Sequence, residues 1–203
     1  MLSNELDRML IEHLGDLDDG ASRMERLQEE IAKAIDDLIE EWATAKGWVT
    51  GEETWTHDLE AAVALPHWFT DEKKWLAWFE LGFAAGDDGE WGHEKDYFWL
   101  TRLCQEGRGQ IGFRFFLDEF GWAKWKKFLV ANAHRLSDTR FILDDEPSLF
   151  LPVKVDKSLL AKGADAEEFS EALEPITEAL NYIYEISERF EELRKNMSAR
   201  QGS

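Results

Sequence analysis

Two long stretches of helix-spaced apolar residues, one near each end of the chain, constrain its fold most strongly. Over residues 22–46 and again over 165–197, apolar side chains recur every three or four positions. This spacing places them on one face of an α-helix, and that face needs a partner. We expect the two helices to pack on each other or on a central sheet, with a homodimer through the stripes as the alternative. Gly47 should end the first helix, and Pro175 should kink the second or start a new segment.

A shorter amphipathic helix is predicted ahead of these, over residues 3–17, with Ser3 as its N-cap. Asp18-Asp19-Gly20 should end this helix, and Ser22 and Glu25 then have the spacing of a capping box. Its apolar stripe consists of Leu6, Met9, Leu10, Leu14 and Leu17.

The middle of the chain predicts an antiparallel sheet of about five strands and one helix. The strands are expected at 75–83, 97–104, 110–118, 140–144 and 149–155, and the helix at 121–136. The second and third strands should form one hairpin, and the last two a second hairpin. The fold class is therefore α+β, with an acidic helical segment at 1–48, a Trp-rich sheet at 49–160 and a long helix at 161–203.

Charge and composition exclude several classes of function. The chain has 203 residues with 43 acids, 23 bases and a net charge of −20, so it should not bind DNA or RNA directly. Residues 1–60 alone hold 17 acids against 5 bases. The single cysteine excludes a disulfide framework. We expect no membrane partner and a cytoplasmic location, because the chain has no long apolar run and no signal-peptide pattern at its start.

The acidity of the helices suggests a non-enzymatic protein, without a cofactor, that binds a basic protein surface. The strongest form of this hypothesis is a nucleic-acid mimic, such as a phage inhibitor of restriction or CRISPR complexes. Helix 22–46 has a net charge of only −3 over roughly 37 Å, against one charge per ~1.7 Å in duplex DNA, so it would need help from residues 4–19. The alternative is that the acids only keep a Trp-rich protein soluble. The candidate contact residues are Asp16, Asp18, Asp19, Glu25, Glu29, Glu30, Asp36, Asp37, Glu40 and Glu41.

An enzymatic alternative depends on residues between the helix and the strands. Asp58, Glu72 and Lys74 match the loose D…E-x-K pattern and resemble the PD-(D/E)XK nucleases. The resemblance implies that the two carboxylates hold Mg²⁺ and that the lysine positions the attacking water. His57 and His67 lie nearby, and a surface role for them is favoured over metal binding.

Two further features are interpreted as parts of the core. Cys104 is expected on the apolar strand 97–104, as a buried and inert thiol. The basic and aromatic cluster at 122–128 is expected to be an amphipathic helix, with Trp122, Trp125 and Leu129 on its buried face, rather than a surface that stacks nucleobases.

Overall fold

The computed structural model describes residues 2–69, 74–84, 97–107, 109–118, 121–143 and 148–199. Over these ranges the chain has the predicted α+β architecture, with seven α-helices and a six-stranded sheet. The helices are α1 Leu2–Glu12, α2 Leu14–Lys46, α3 Trp55–Asp58, α4 Leu100–Leu103, α5 Trp122–Asn132, α6 Lys157–Ala166 and α7 Ser170–Ala199. The strands are β1 Val49–Thr50, β2 Ala61–Ala64, β3 Ala77–Phe83, β4 Ile111–Leu117, β5 Ile142–Leu143 and β6 Leu149–Val153.

The sheet has the order β1-β2-β3-β4-β6-β5, and every neighbouring pair is antiparallel. Its centre is the pair β3–β4, joined in register from Ala77↔Leu117 to Phe83↔Ile111. The hairpin of β5 and β6 confirms the second predicted hairpin; the turn predicted at 145–148 begins outside the described residues. Strands β1 and β2 were not predicted, because both are short and all four residues of β2 are buried, so no alternation reveals them.

One face of the sheet packs against the long helices. The Phe190 ring of α7 lies 4.8 Å from Phe79 and 4.7 Å from Phe115, measured between ring centroids. The two long helices also contact each other, since Trp42 Nε1 of α2 donates a 3.0 Å hydrogen bond to Asn181 Oδ1 of α7. This confirms that part of the apolar face of each long helix is buried against other elements of the same chain.

Helix α2 is longer than predicted at its N-terminus. It begins at Leu14 instead of residue 22, and Ser22 lies inside it instead of capping it. Only His13 separates α1 from α2. Backbone hydrogen bonds continue across this residue, from His13 N to Met9 O at 3.1 Å and from Leu17 N to His13 O at 3.0 Å. At the other end, Gly47 has the predicted left-handed conformation, with φ of 69°.

The C-terminal helix predicted over 165–197 is confirmed as α7, which begins at Ser170, and a separate helix that was not predicted, α6, precedes it. Asp156 caps α6 by accepting a 2.6 Å hydrogen bond from Ser158 N, and Glu167, with φ of 53°, turns the chain before α7. A Cβ atom at Gly163 would lie 2.6 Å from Glu168 O, so glycine permits this tight turn. The break thus precedes Pro175, which α7 accommodates within its second turn.

The strand predicted at 97–104, and with it the first hairpin, is wrong. This segment contains helix α4, and β4 pairs with β3 and β6 instead. A short run with apolar residues on both alternating faces does not distinguish a strand from one buried helical turn. Cys104 is buried as expected, but it ends α4, and burial raises the pKa of its thiol. The predicted helix at 121–136 is confirmed as α5 followed by a 3-10 turn, with Trp125 buried.

Candidate interaction surface

The N-terminal helical segment extends away from the core. Every residue from 5 to 20 is exposed, and we call this segment the arm. Further along α2, Gln28 Oε1 accepts a 3.0 Å hydrogen bond from Trp99 N, and Ile31 is buried. Within the described residues, no helix is both long and apolar enough to cross a membrane.

The arm is strongly acidic. It contains six acids and one arginine, and three of the acids, Asp16, Asp18 and Asp19, are predicted contact residues. Arg8 is engaged locally, because its Nε lies 3.6 Å from Glu12 Oε1. The remaining carboxylates face water and create a negative potential around the arm.

The arm also has an exposed apolar stripe, made of the five side chains that the sequence places on one face. Their exposed fractions run from 43% at Leu10 and Leu17 to 66% at Leu14. The same three- and four-residue spacing continues into the part of α2 where Ile31 and Ile35 are buried in the core. One helix face is therefore covered along the body of the protein and uncovered along the arm.

A groove of about 910 Å³ separates α2 from the α6–α7 junction. Three of the predicted contact residues, Glu30, Asp37 and Glu41, line its α2 side. Glu167 and Glu168, which sequence analysis did not select, line the opposite side. Hydrogen bonds from Ser170 lower the pKa of Glu168 and favour its charged form. The apolar floor consists of Ala34, Leu38, Trp42, Phe169 and Leu173.

The other predicted acids of α2 lie outside the groove. Glu25, Glu29 and Glu40 are exposed on a different side of the helix, as the 100° rotation per residue requires. Asp36 is used by the fold, since its carboxylate accepts hydrogen bonds from Trp55 N at 2.6 Å and Thr56 N at 3.0 Å. Of the two adjacent aspartates on α2, only Asp37 therefore faces the groove.

The residues of the nuclease pattern make local contacts. Asp58 Oδ2 accepts a 3.0 Å hydrogen bond from Thr54 N, and Lys74 Nζ lies 3.9 Å from Asp118 Oδ2. Glu72 lies outside the described residues. His67 Nε2 lies 3.5 Å from Glu191 Oε2. Within the ranges that the structure describes, no three His, Cys, Asp or Glu side chains form a group able to hold a metal ion.

Sequence analysis also missed a titratable group on the second face of the sheet. Burial raises the pKa of Glu80 to about 7, although the Trp78 indole, which donates a 3.0 Å hydrogen bond to it, acts in the opposite direction. Glu80 stands opposite Arg114, a buried residue whose guanidinium donates to Ser148 Oγ and lies over the Phe150 ring. In the sequence, the signal that could have identified this residue was a single glutamate within an apolar strand.

No protein-family model, curated protein or solved structure matches the chain. Evidence for the function therefore comes from the chemistry of the arm and the groove, both of which are acidic and partly apolar.

Proposed function

We propose that this is a non-enzymatic interaction protein that binds a basic protein surface through its acidic helices. The observation that supports this most is the groove, where three acids of α2 face two acids from the α6–α7 junction. These groups are more than 120 positions apart in sequence, and among the described residues Lys33 is the one base that lines the groove with them. Like charges gathered around an apolar floor repel each other, and a basic partner with an apolar anchor relieves that repulsion.

The charge density favours a protein partner over close imitation of duplex DNA. The arm has a net charge of −5 over roughly 24 Å, about a third of the density of a duplex. A mimic also has no need for the exposed apolar side chains of the arm. Nucleic-acid mimicry remains the narrower form of the proposal, and it requires the arm and the groove to contact one partner together.

Charge reversal on α2 tests this function with a matched control. We expect Glu30→Lys, Asp37→Lys and Glu41→Lys, combined, to weaken capture of basic proteins from a lysate of the source organism by about tenfold. The control combines Glu25→Lys, Glu29→Lys and Glu40→Lys, the same number of exposed charges on the same helix, and should weaken capture much less. Captured partners should dissociate as salt rises, because the Debye length shrinks from about 10 Å at 0.1 M to about 3 Å at 1 M.

One result would count against the function, and another against the role of the groove. Capture that is indifferent to both triple variants and to salt would exclude an electrostatic interface. Equal loss in both triple variants would instead indicate a diffuse field around α2, with no particular role for the groove.

A further inference from the structure

We infer that the apolar stripe of the arm is the docking face for one amphipathic helix whose flanking side chains are basic. This inference rests on the proposed function and names the kind of partner. The stripe residues Leu6, Leu10, Leu14 and Leu17 are each between 43% and 66% exposed. Exposure of apolar surface to water is unfavourable, so a partner that covers the stripe gains binding free energy.

The position of the stripe indicates a helix as its occupant. From Leu6 to Leu17 it covers three helical turns, roughly 17 Å, with the i, i+4, i+8, i+11 spacing of a packing seam. It continues the face of α2 that the core covers from Ile31 onward. A partner helix laid along the arm would extend the covering that the body of the protein already provides for α2.

The charges beside the stripe determine the chemistry of that partner. At 100° per residue, Glu5 and Asp16 lie along one border of the stripe, and Asp7 and Asp18 along the other. These are the positions that select partners in paired helices. Lysine or arginine beside the apolar seam of the partner would face a carboxylate on both borders.

The same charges disfavour two other occupants. A second copy of the arm, in parallel or antiparallel orientation, would oppose one net charge of −5 with another. A membrane surface is also unsuitable, because interfacial helices place lysine and arginine beside their apolar face and are attracted to anionic lipid. The arm has the opposite sign.

Synthetic peptides test the inference on the full chain. The probe is a fluorescent peptide of about 18 residues, made only of leucine and lysine, with the leucines on one helical face. One reference peptide has the same composition in scrambled order, and another replaces lysine by glutamate. By fluorescence anisotropy at about 50 mM salt, the amphipathic basic peptide should bind at least about tenfold tighter than either reference.

Two variants of the arm separate the stripe from general hydrophobicity. Leu10→Ser with Leu14→Ser should weaken binding of the amphipathic basic peptide by at least about tenfold. Ile11→Ser is the matched control, since Ile11 is 74% exposed but lies beside the stripe, and it should change binding less than about twofold. All three side chains are exposed, so the thermal unfolding midpoint should stay unchanged and exclude loss of fold.

Several results would overturn the inference. Equal binding of the scrambled peptide would show that the interaction depends on charge alone, a result that is compatible with the proposed function. Binding that survives the stripe variants but not the Glu30, Asp37 and Glu41 reversals would place the peptide in the groove instead of on the arm. A concentration-dependent dimer, found by analytical ultracentrifugation and abolished by the stripe variants, would identify a second copy as the occupant. If no variant has an effect, the inference and the proposed function both fail.

Discussion

The Asp36 carboxylate of α2 accepts a 2.6 Å hydrogen bond from the backbone nitrogen of Trp55, the first residue of α3. It also accepts from the backbone nitrogen and the hydroxyl of Thr56, so one side chain satisfies two of the free N–H groups at the start of that helix. Trp55 is fully buried, and Asp36 therefore fixes the segment that brings this indole into the core. Asp37, the next residue, lines the groove instead.

The first prediction separates these two aspartates. Asp36→Lys should lower the free energy of unfolding by about 2–3 kcal/mol, because it removes a charged cap and its hydrogen bonds. Asp37→Lys should change it by less than about 0.5 kcal/mol, since that side chain is exposed. Urea unfolding followed by tryptophan fluorescence measures both. Equal stability of the two variants would show that the cap has no energetic role.

The second prediction concerns the loss of stability of the folded state at acidic pH. Burial tends to raise the pKa of Glu191, but hydrogen bonds from Arg194, Trp68 and Lys195 outweigh it and lower the pKa to about 2, below the ordinary 4.5. The charged form is favoured in the folded state, so its contribution is present above pH 4.5 and is lost as the pH falls toward 2. After allowance for solvent screening, it is on the order of 1 kcal/mol.

Glu191→Gln tests this contribution, because the amide oxygen can still accept the 2.7 Å hydrogen bond from Trp68 Nε1. Between pH 5 and pH 3 the wild type should lose more stability than this variant, measured as the unfolding midpoint. Glu192→Gln, at an exposed neighbouring position, is the control and should follow the wild type. Parallel curves for all three proteins would contradict the prediction.

The third prediction has the opposite sign of pH dependence. Burial raises the folded-state pKa of Glu80 to about 7 from the ordinary 4.5; Glu60 and Glu53 add to this, and Trp78 and Arg114 oppose it. The folded state therefore holds this proton more tightly than the unfolded state, and stability falls as the pH rises from 4.5 to 7. Glu80→Gln should remove this loss and be more stable than the wild type at pH 8 by about 2 kcal/mol.

Thermal unfolding between pH 5 and pH 8 measures the difference. Glu53→Gln, an exposed carboxylate near the same site, is the control and should retain most of the wild-type slope. If Glu80→Gln is less stable than the wild type at pH 8, the carboxylate is held in its charged form and the assignment is wrong.

The fourth prediction uses the glycine pair Gly82 and Gly112, which face each other across β3 and β4. A Cβ atom at Gly112 would lie 2.7 Å from Phe150 Cζ and 2.8 Å from Pro152 Cα. Of the residues that the structure describes, one at Gly82 would meet only Glu80, whose Oε1 lies at 3.7 Å. Gly112→Ala should cost about 3 kcal/mol or more, and Gly82→Ala less than about 1 kcal/mol. Chemical denaturation of both variants decides the matter, and comparable losses would refute the close approach of β4 to β6.

Local patterns in the sequence were sufficient for the elements whose signal is local. The helical spacing before Gly47, the alternation in β4 and the hairpin that ends with β6 were all predicted, because each depends on residues within a few positions of one another. The segment at 97–104 was assigned wrongly for the same reason, since apolar residues on both alternating faces indicate burial but do not specify the backbone conformation.

Tertiary structure alone decided how the predicted faces are used. Leu14 and Ile35 belong to the same apolar pattern, yet the first is 66% exposed and the second is fully buried. Asp36 and Asp37 are identical in sequence terms, yet one caps α3 and the other lines the groove. Periodicity specifies which side of a helix is apolar or charged. Whether another element covers that side depends on residues more than 100 positions away, such as those of α7, and that information is not local.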